Sequence, residues 1–255
     1  MGRNAITIIL FLTFMSTAII LAARQGRRLR PLTNKLPKCL IEVCGRPILN
    51  WQLSALKQNK IKNITIVVGF MNNLVQKYAL QNFHDLNFKF VHNPNYATTN
   101  TLYPLALAAE TNFGNCNMLQ LNGDVVFDQK IITLLLKTGN KQNCVAANYK
   151  KCGKEEIKIL LNNDGSIAAL NKKVLHKKAI GEAIGINKFS GQFWKILSKN
   201  LISLKRRFSE EYFEYAVECA ILQGEKIFPY NIKNLEAMEI DYPQDLKIAA
   251  KKFRT

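Results

Sequence analysis

The chain has 255 residues, of which 48% are hydrophobic, and this composition excludes general disorder and supports an α/β domain with a substantial core. It contains 36 Lys and Arg residues against 18 Asp and Glu residues, and the resulting net charge of +18 favours anionic ligands. The lysines are scattered, without interleaved aromatic residues or a recognisable nucleic-acid motif. We therefore expect no nucleic-acid partner.

The amino terminus is apolar over residues 5–23, which is long enough for a membrane span or a signal peptide. Residues 17–23 are nevertheless short, apolar and rich in β-branched side chains, as in a buried parallel strand. A span or a cleavage there would remove this strand from the sheet. We assign residues 1–14 to a hydrophobic extension, which is either a start-site artefact or a membrane anchor, and residues 15–255 to one domain that we expect in the cytoplasm.

A basic loop containing a glycine follows this strand, with the sequence LAARQGRRLRPLTNKLPK over residues 21–38. At the carboxyl edge of a parallel sheet, such a loop can direct backbone N–H groups at a phosphate, and Gly26 permits a close approach. Guanidinium and ammonium groups would add charge that phosphate oxygens match. The cations are Arg24, Arg27, Arg28, Arg30 and Lys38. From these residues alone, a solvated basic turn is the alternative.

Helices and strands are predicted to alternate through the rest of the chain. Apolar spacing predicts helices at residues 47–57, 73–80, 101–110, 209–222 and 243–253. Short buried runs predict strands at residues 64–68, 88–92, 118–121 and 237–240. This alternation indicates a Rossmann-like, doubly wound α/β fold with a mixed, mainly parallel sheet.

Asp124 is the first carboxylate with a candidate role. It follows Gly123 at the end of the predicted strand 118–121, and therefore at the carboxyl edge of the sheet. A carboxylate there can coordinate Mg²⁺ that bridges phosphate oxygens. A capping role in the turn is the alternative for an aspartate at such a position.

The basic loop resembles the signature of nucleotidyltransferases that activate sugar phosphates and small phosphomonoesters, a superfamily with a GT-A-like fold. That signature is usually written L-A-A-G-x-G-x-R-L-x-P-x-T followed by P-K, and residues 21–33 with Pro37 and Lys38 match it. One departure is Arg24, which stands where the family has its first glycine. If that glycine has a left-handed backbone in the family, Arg24 must strain or reshape the loop.

The resemblance implies a site for a nucleoside triphosphate at this loop. Arg28 would act in catalysis by holding the β- and γ-phosphates, and Lys38 would bridge the α-phosphate and the acceptor. The implied nucleotide-binding residues are Leu21, Ala22, Ala23, Arg24, Gly26, Arg28, Asn100 and Gly123. The resemblance also implies Mg²⁺ as cofactor, on Asp124 and on Asp241, which follows the strand 237–240. The N-cap of the last helix is the other role of Asp241.

Residues 93–103, NPNYATTNTLY, resemble the N-x-x-Y-x-x-T-N segment of bacterial cytidylyltransferases that act on phosphocholine or 2-aminoethylphosphonate. CTP is therefore the expected nucleotide and Asn100 an expected contact, although capping of the following helix is equally compatible with Asn100. Segments at residues 155–159, 171–172 and 181–186 resemble parts of the acceptor site of this group.

These segments imply a small acceptor-binding subregion. Lys158 and Lys172 would neutralise the phosphate of the acceptor, whereas Glu182 and Glu214 would engage its cationic head group. Glu218 lies four residues after Glu214 on one face of the predicted helix 209–222. Tyr212 or Tyr215 would supply an aromatic wall for the cation.

The expected reaction is in-line attack of an acceptor phosphate oxygen on the α-phosphorus of a nucleoside triphosphate, with release of pyrophosphate. CMP transfer from CTP to phosphocholine or aminoethylphosphonate would activate a head group for decoration of cell-surface glycans or lipids. One alternative is a sugar-1-phosphate nucleotidyltransferase that uses UTP, dTTP or GTP. A catalytically silent nucleotide-binding protein is the other, because of Arg24.

Overall fold

The computed structural model describes residues 17–111, 114, 116–139 and 142–254. The extension assigned to residues 1–14 therefore lies outside the described part. No helix within that part is long and apolar enough to cross a membrane. The single domain assigned to residues 15–255 stays a prediction.

The strands agree in position with those predicted, and further strands form after residue 140. In chain order they are β1 (Thr17–Ala22), β2 (Glu42–Val43), β3 (Arg46–Pro47), β4 (Asn63–Val68), β5 (Asn87–His92), β6 (Met118–Asn122), β7 (Val125–Phe127), β8 (Cys144–Asn148), β9 (Lys158–Leu161), β10 (Ile167–Asn171), β11 (Gly181–Phe189), β12 (Phe228–Asn231) and β13 (Ala237–Glu239).

The helices occupy the connections between these strands. In chain order they are α1 (Ile48–Gln58), α2 (Asn72–Asn82), α3 (Leu102–Ala109), α4 (Lys130–Lys137), α5 (Gly191–Leu204), α6 (Glu214–Leu222) and α7 (Pro243–Lys252). Short 3-10 turns at Arg27–Leu29, Leu32–Asn34 and Lys38–Leu40 shape the basic loop.

The predicted mixed sheet is confirmed. Strands β6, β1, β4 and β5 lie side by side and parallel, which is the arrangement that buried apolar strands and crossover helices favour. The sheet continues beyond β6 into β11, which is antiparallel, and then into β9 and β10. The pairs of β8 with β11 and β12 complete it. The parallel half thus adjoins an antiparallel half that the predicted elements did not include.

Both faces of the sheet are covered by helices, because alternate residues of a strand point to opposite faces. In β1, Ala18 and Ile20 pack with the apolar residues of α1, α2 and α4. Ile19 and Leu21 pack on the other face with those of α3, α5 and α6. This explains why β1 is buried along its whole length, and it confirms the doubly wound arrangement.

The helix predicted to begin at residue 209 begins at Glu214 instead. The residues before it bind the backbone that precedes α3. Asn100 N–H donates to the Ser209 carbonyl over 2.9 Å, and Leu102 N–H donates to the Glu211 carbonyl over 3.2 Å. These long-range hydrogen bonds compete with helical ones, so the first turn does not form.

Gln52 on α1 supports the turn that carries Asp124. Its buried Nε2 donates to the carbonyls of Asn122 and Val125, over 2.8 and 2.9 Å, on either side of that turn. Buried carbonyl groups need such donors, because water cannot reach them. A side chain within α1 therefore holds the end of β6 and the start of β7.

We expect Gln52→Leu to lower the free energy of unfolding by about 1–3 kcal/mol, because it leaves buried carbonyls without their donor. Urea denaturation followed by circular dichroism measures this change. Gln76→Leu is the control, since Gln76 is partly exposed on α2 and binds only the neighbouring Asn72 side chain. An equal loss in both variants would contradict the role of Gln52.

Candidate active site

A cleft of about 470 Å³ opens at the carboxyl edge of the parallel strands. The ends of β1 and β6 form its floor, where Leu21 pairs with Asn122. Gly123 N–H donates to the Leu21 carbonyl over 3.1 Å. A Cβ at Gly123 would lie 2.5 Å from that carbonyl oxygen, so a larger residue cannot occupy this position without moving the strand. Glycine thus lets the turn before Asp124 lie directly against β1.

Gly26 is the residue of the basic loop that needs a left-handed backbone, with φ of +74°. Its hypothetical Cβ would lie 2.9 Å from Cγ of Lys38, so the glycine also makes room for that side chain. Arg24 does not have a positive φ, and the left-handed strain that its replacement of a glycine suggested is absent at this residue. Arg24 and Arg28 line the cleft, and Gly26 lines an adjoining pocket.

Lys38 lies at the centre of the site. Its Nζ donates to Oδ2 of Asp124 and to Oδ1 of Asp241, each over 2.5 Å. Only 6% of the side chain is exposed. Burial by itself lowers the pKa of Lys38, but the two carboxylates outweigh burial and hold that pKa above its usual value. The ammonium group is therefore charged and tied to both aspartates.

Backbone pairing brings these two aspartates together. Strand β13 pairs with β7, where Glu239 lies opposite Val125, and Ile240 N–H donates to the Asp124 carbonyl over 3.0 Å. The N-cap of α7 is Tyr242, and Asp245 accepts the N–H groups of Asp241 and Tyr242. The Asp241 carboxylate is thus not the helix cap, and it faces the cleft.

Arg28 forms the outer side of the same cluster. Its guanidinium donates to Oδ2 of Asp241 over 2.7 Å and to the Tyr242 hydroxyl over 2.8 Å. Burial alone raises the pKa of Asp241, but the charges of Lys38, Arg28 and Arg24 outweigh it and lower that pKa. Asp241 is therefore ionised, and its two oxygens are bound by Lys38 and Arg28.

The oxygen donors fit Mg²⁺. Asp124 and Asp241 converge on one point, which the Lys38 ammonium takes here, and Mg²⁺ in nucleotide sites is held by one or two carboxylates together with phosphate oxygens. In the described residues no group of three or more His, Cys, Asp or Glu side chains forms a metal cage. Asp124 and Asp241 are thus the two carboxylates that the described part of the site offers to such a cation.

Glu239 is a cleft residue that our sequence reasoning missed. It is accessible to the cleft, yet protein atoms crowd its carboxyl group, and this desolvation together with the charge of Asp124 raises its pKa to about 8. The sequence contained a signal for this residue: Glu239 lies two residues before Asp241 in an extended segment, and residues with this spacing lie on the same side of a strand. Lys150 and Tyr242 were missed as well.

The other end of the cleft contains most of the predicted acceptor residues. Lys172, Glu182 and Glu214 line it, and Tyr212 lies beside them. Lys172 pairs with Glu155 over 3.2 Å, and Lys150 pairs with Glu182 over 2.8 Å. The β9–β11 half of the sheet and α6 thus form a subregion facing the basic loop.

Four predicted site residues do not line the cleft: Gly26, which lines the adjoining pocket, and three others. Lys158 is 1% exposed, and its Nζ donates to the carbonyls of Gly153 and Glu156, each over 3.3 Å, so its charge is used inside the protein. The Asn100 side chain accepts the Thr101 N–H over 2.9 Å, but Thr101 is the N-cap of α3, so Asn100 does not cap that helix either. Ala23 is buried behind the loop.

The chain is similar in sequence to two cytidylyltransferases. The chain is 26% identical over 261 residues to the CTP:phosphoglutamine cytidylyltransferase of Campylobacter jejuni, covering 92% of this chain and 99% of that protein. It is 38% identical over 97 residues to the choline-phosphate cytidylyltransferase of Streptococcus pneumoniae, covering 36% of this chain and 39% of that protein.

Solved structures show the likeness of fold. The CTP:phosphocholine cytidylyltransferase from Streptococcus pneumoniae matches with a TM-score of 0.75 at 21% identity, covering 93% of this chain and 98% of that one. The inositol-1-phosphate CTP transferase from T. maritima matches with a TM-score of 0.76 at 18% identity, covering 93% and 96%. The family model described as nucleotidyl transferase matches residues 17–156. This match covers more than half of the chain and includes the loop, Lys38 and Asp124, so the chain belongs to the nucleotidyl transferase family.

Proposed function

We propose that this nucleotidyltransferase transfers CMP from CTP to a small phosphorylated acceptor and releases pyrophosphate. The observation that carries the proposal is the single cleft in which Lys38, Asp124 and Asp241 lie between the basic loop and the acceptor subregion. The names of two relatives support CTP as the nucleotide and a phosphorylated small molecule as the acceptor. One is a CTP:phosphoglutamine cytidylyltransferase and the other is a choline-phosphate cytidylyltransferase.

The basic loop binds the triphosphate in this proposal. Arg28 and Arg24 face the β- and γ-phosphates, and Gly26 permits a close approach of the backbone. Asp124 and Asp241 hold Mg²⁺, which, when bound, supplies positive charge that stabilises the developing charge on the phosphates. Lys38 then exchanges its aspartate contacts for the α-phosphate and the acceptor phosphate.

No protein nucleophile is needed, because the phosphate of the acceptor is already an anion. The protein must instead overcome the repulsion between two phosphates and align them for in-line attack. The bond between the acceptor oxygen and the α-phosphorus forms as the bond to pyrophosphate breaks. Two lysines reduce the repulsion: Lys38 at the centre of the site and Lys172 at the acceptor end.

The test is release of pyrophosphate in the presence of Mg²⁺, with each of CTP, UTP, dTTP and GTP against phosphocholine, phosphoethanolamine, aminoethylphosphonate and sugar 1-phosphates. We expect turnover with CTP and an amine-bearing acceptor. Asp124→Asn should lower kcat/KM by about 100-fold or more, because it removes a charge that holds the metal.

Asp85→Asn is the matched control, since Asp85 pairs with Lys57 on the exposed surface outside the cleft. Turnover only with a sugar 1-phosphate and another nucleotide would reject the proposal. Absence of pyrophosphate release with every pair of substrates would reject transferase activity on these compounds.

The pairing of Lys38 predicts a second result, in the absence of nucleotide. Lys38→Met leaves the carboxylates of Asp124 and Asp241 without their shared cation, so Mg²⁺ should stabilise the variant more than the wild-type protein. At a Mg²⁺ concentration ten times the Kd of the variant for Mg²⁺, binding raises its free energy of unfolding by about 1.4 kcal/mol. For a chain of this size, this corresponds to a rise in Tm of roughly 3–6 °C.

Differential scanning fluorimetry with and without Mg²⁺ measures this shift. Lys35→Met is the control, because Lys35 lies on the same loop but is exposed and outside the cleft. An equal effect of Mg²⁺ on Lys38→Met and on the wild-type protein would show that the ammonium group and the metal do not share a site.

A further inference from the structure

The acceptor end of the cleft contains a buried carboxyl oxygen that lacks a hydrogen-bond donor. Glu214 lies in the first turn of α6, is 4% exposed and lines the cleft. Its Oε2 is buried and has no hydrogen-bond partner within the described residues. Such an oxygen is unfavourable unless a donor reaches it, and a ligand in the cleft is positioned to supply one.

The neighbouring carboxyl groups are less suited to bind a ligand. Oε1 of Glu218 accepts the Leu170 N–H and the Asn171 amide, over 2.8 and 2.6 Å. Glu182 is paired with Lys150. Glu156 also has a buried oxygen without a partner, but this oxygen lies against Gly153, where a Cβ would be only 2.8 Å away. Glu214 is therefore the carboxyl group best placed to accept a hydrogen bond from a ligand.

The aromatic side chains of the cleft are engaged by the protein's own cations. Lys172 Nζ lies 4.8 Å from the centre of the Tyr212 ring, and Arg28 Cζ lies 4.7 Å from that of Tyr242. These two are the aromatic residues among the described residues that line the cleft. Tyr215 packs on Phe208 outside the cleft, so it does not provide the wall that the sequence suggested.

A quaternary ammonium group has no N–H, and it is recognised mainly through open aromatic faces. A primary amine or a carboxamide offers N–H groups, which an unpartnered carboxyl oxygen requires. The cleft supplies the second kind of partner, and lysine and arginine already cover faces of its rings. The chemistry of the site therefore favours head groups that carry N–H groups over quaternary ammonium groups.

On the basis of the proposed function, we infer that the acceptor carries a nitrogen with hydrogens, as in a primary amine or a carboxamide, which donates to Glu214. Lys172 is a specificity-determining residue because it covers Tyr212. The site binds a head group less tightly when methyl groups replace these hydrogens.

Phosphoethanolamine and phosphocholine test this inference, because they differ only in the three N-methyl groups. Their binding is measured by calorimetry with the full chain, Mg²⁺ and a non-hydrolysable CTP analogue. We expect phosphoethanolamine to bind about tenfold more tightly or better, as one hydrogen bond to a charged group implies. Glu214→Gln should reduce this ratio, by weakening the binding of phosphoethanolamine.

Lys172→Ala should also reduce the ratio. The loss of its charge weakens the binding of both phosphate compounds, but it weakens phosphocholine less, because the variant uncovers the Tyr212 ring for the quaternary ammonium group. Lys173→Ala is its control, since Lys173 is exposed and does not line the cleft, and it should leave the ratio unchanged. Phosphocholine binding as tightly as phosphoethanolamine, or binding of neither compound, would overturn the inference. A preserved preference without pyrophosphate release would support the inference and reject the proposed function.

Discussion

The site depends on one buried ammonium group that neutralises two carboxylates from distant parts of the chain. Lys38 contacts Asp124 and Asp241, which β6 and β13 deliver to the same point. Removing one member would leave a partly buried charge without its partner, which is more costly than an exposed ion pair. In the proposed function, the same cluster brings the cation that binds the α-phosphate next to the carboxylates that fit Mg²⁺, so stability and chemistry would share these three groups.

The sheet positions the cluster through backbone contacts rather than through long side chains. Gly123 lies directly on β1, Gln52 binds the carbonyls on both sides of the turn, and Ile240 N–H binds Asp124 from β13. Because all of these are short contacts of buried groups, the turn has little freedom to move. Such rigidity suits a reaction in which the protein contributes mainly alignment and charge.

The two ends of the cleft differ in their charged residues. The loop end has arginines that match phosphate oxygens, whereas the acceptor end combines lysines with several carboxyl groups. Lys150 and Lys172 are neutralised by Glu182 and Glu155 there, whereas Glu214 and Glu156 each keep a buried oxygen without a hydrogen-bond partner among the described residues. This pattern suits an acceptor that has an anionic phosphate at one end and a nitrogen-containing group at the other.

The sequence by itself determined the features that depend on neighbouring residues: the buried strand β1, the basic loop that follows it, the parallel half of the sheet and the place of Asp124 at its edge. Steric limits on the backbone and the apolar periodicity fix these locally. Only the tertiary structure decided that Lys38 pairs with Asp241, that Lys158 is enclosed by carbonyl groups and that α6 begins late, at Glu214. Each of these outcomes depends on hydrogen bonds and burial that involve folded surroundings, and a local pattern of residues contains no information about which distant groups will meet.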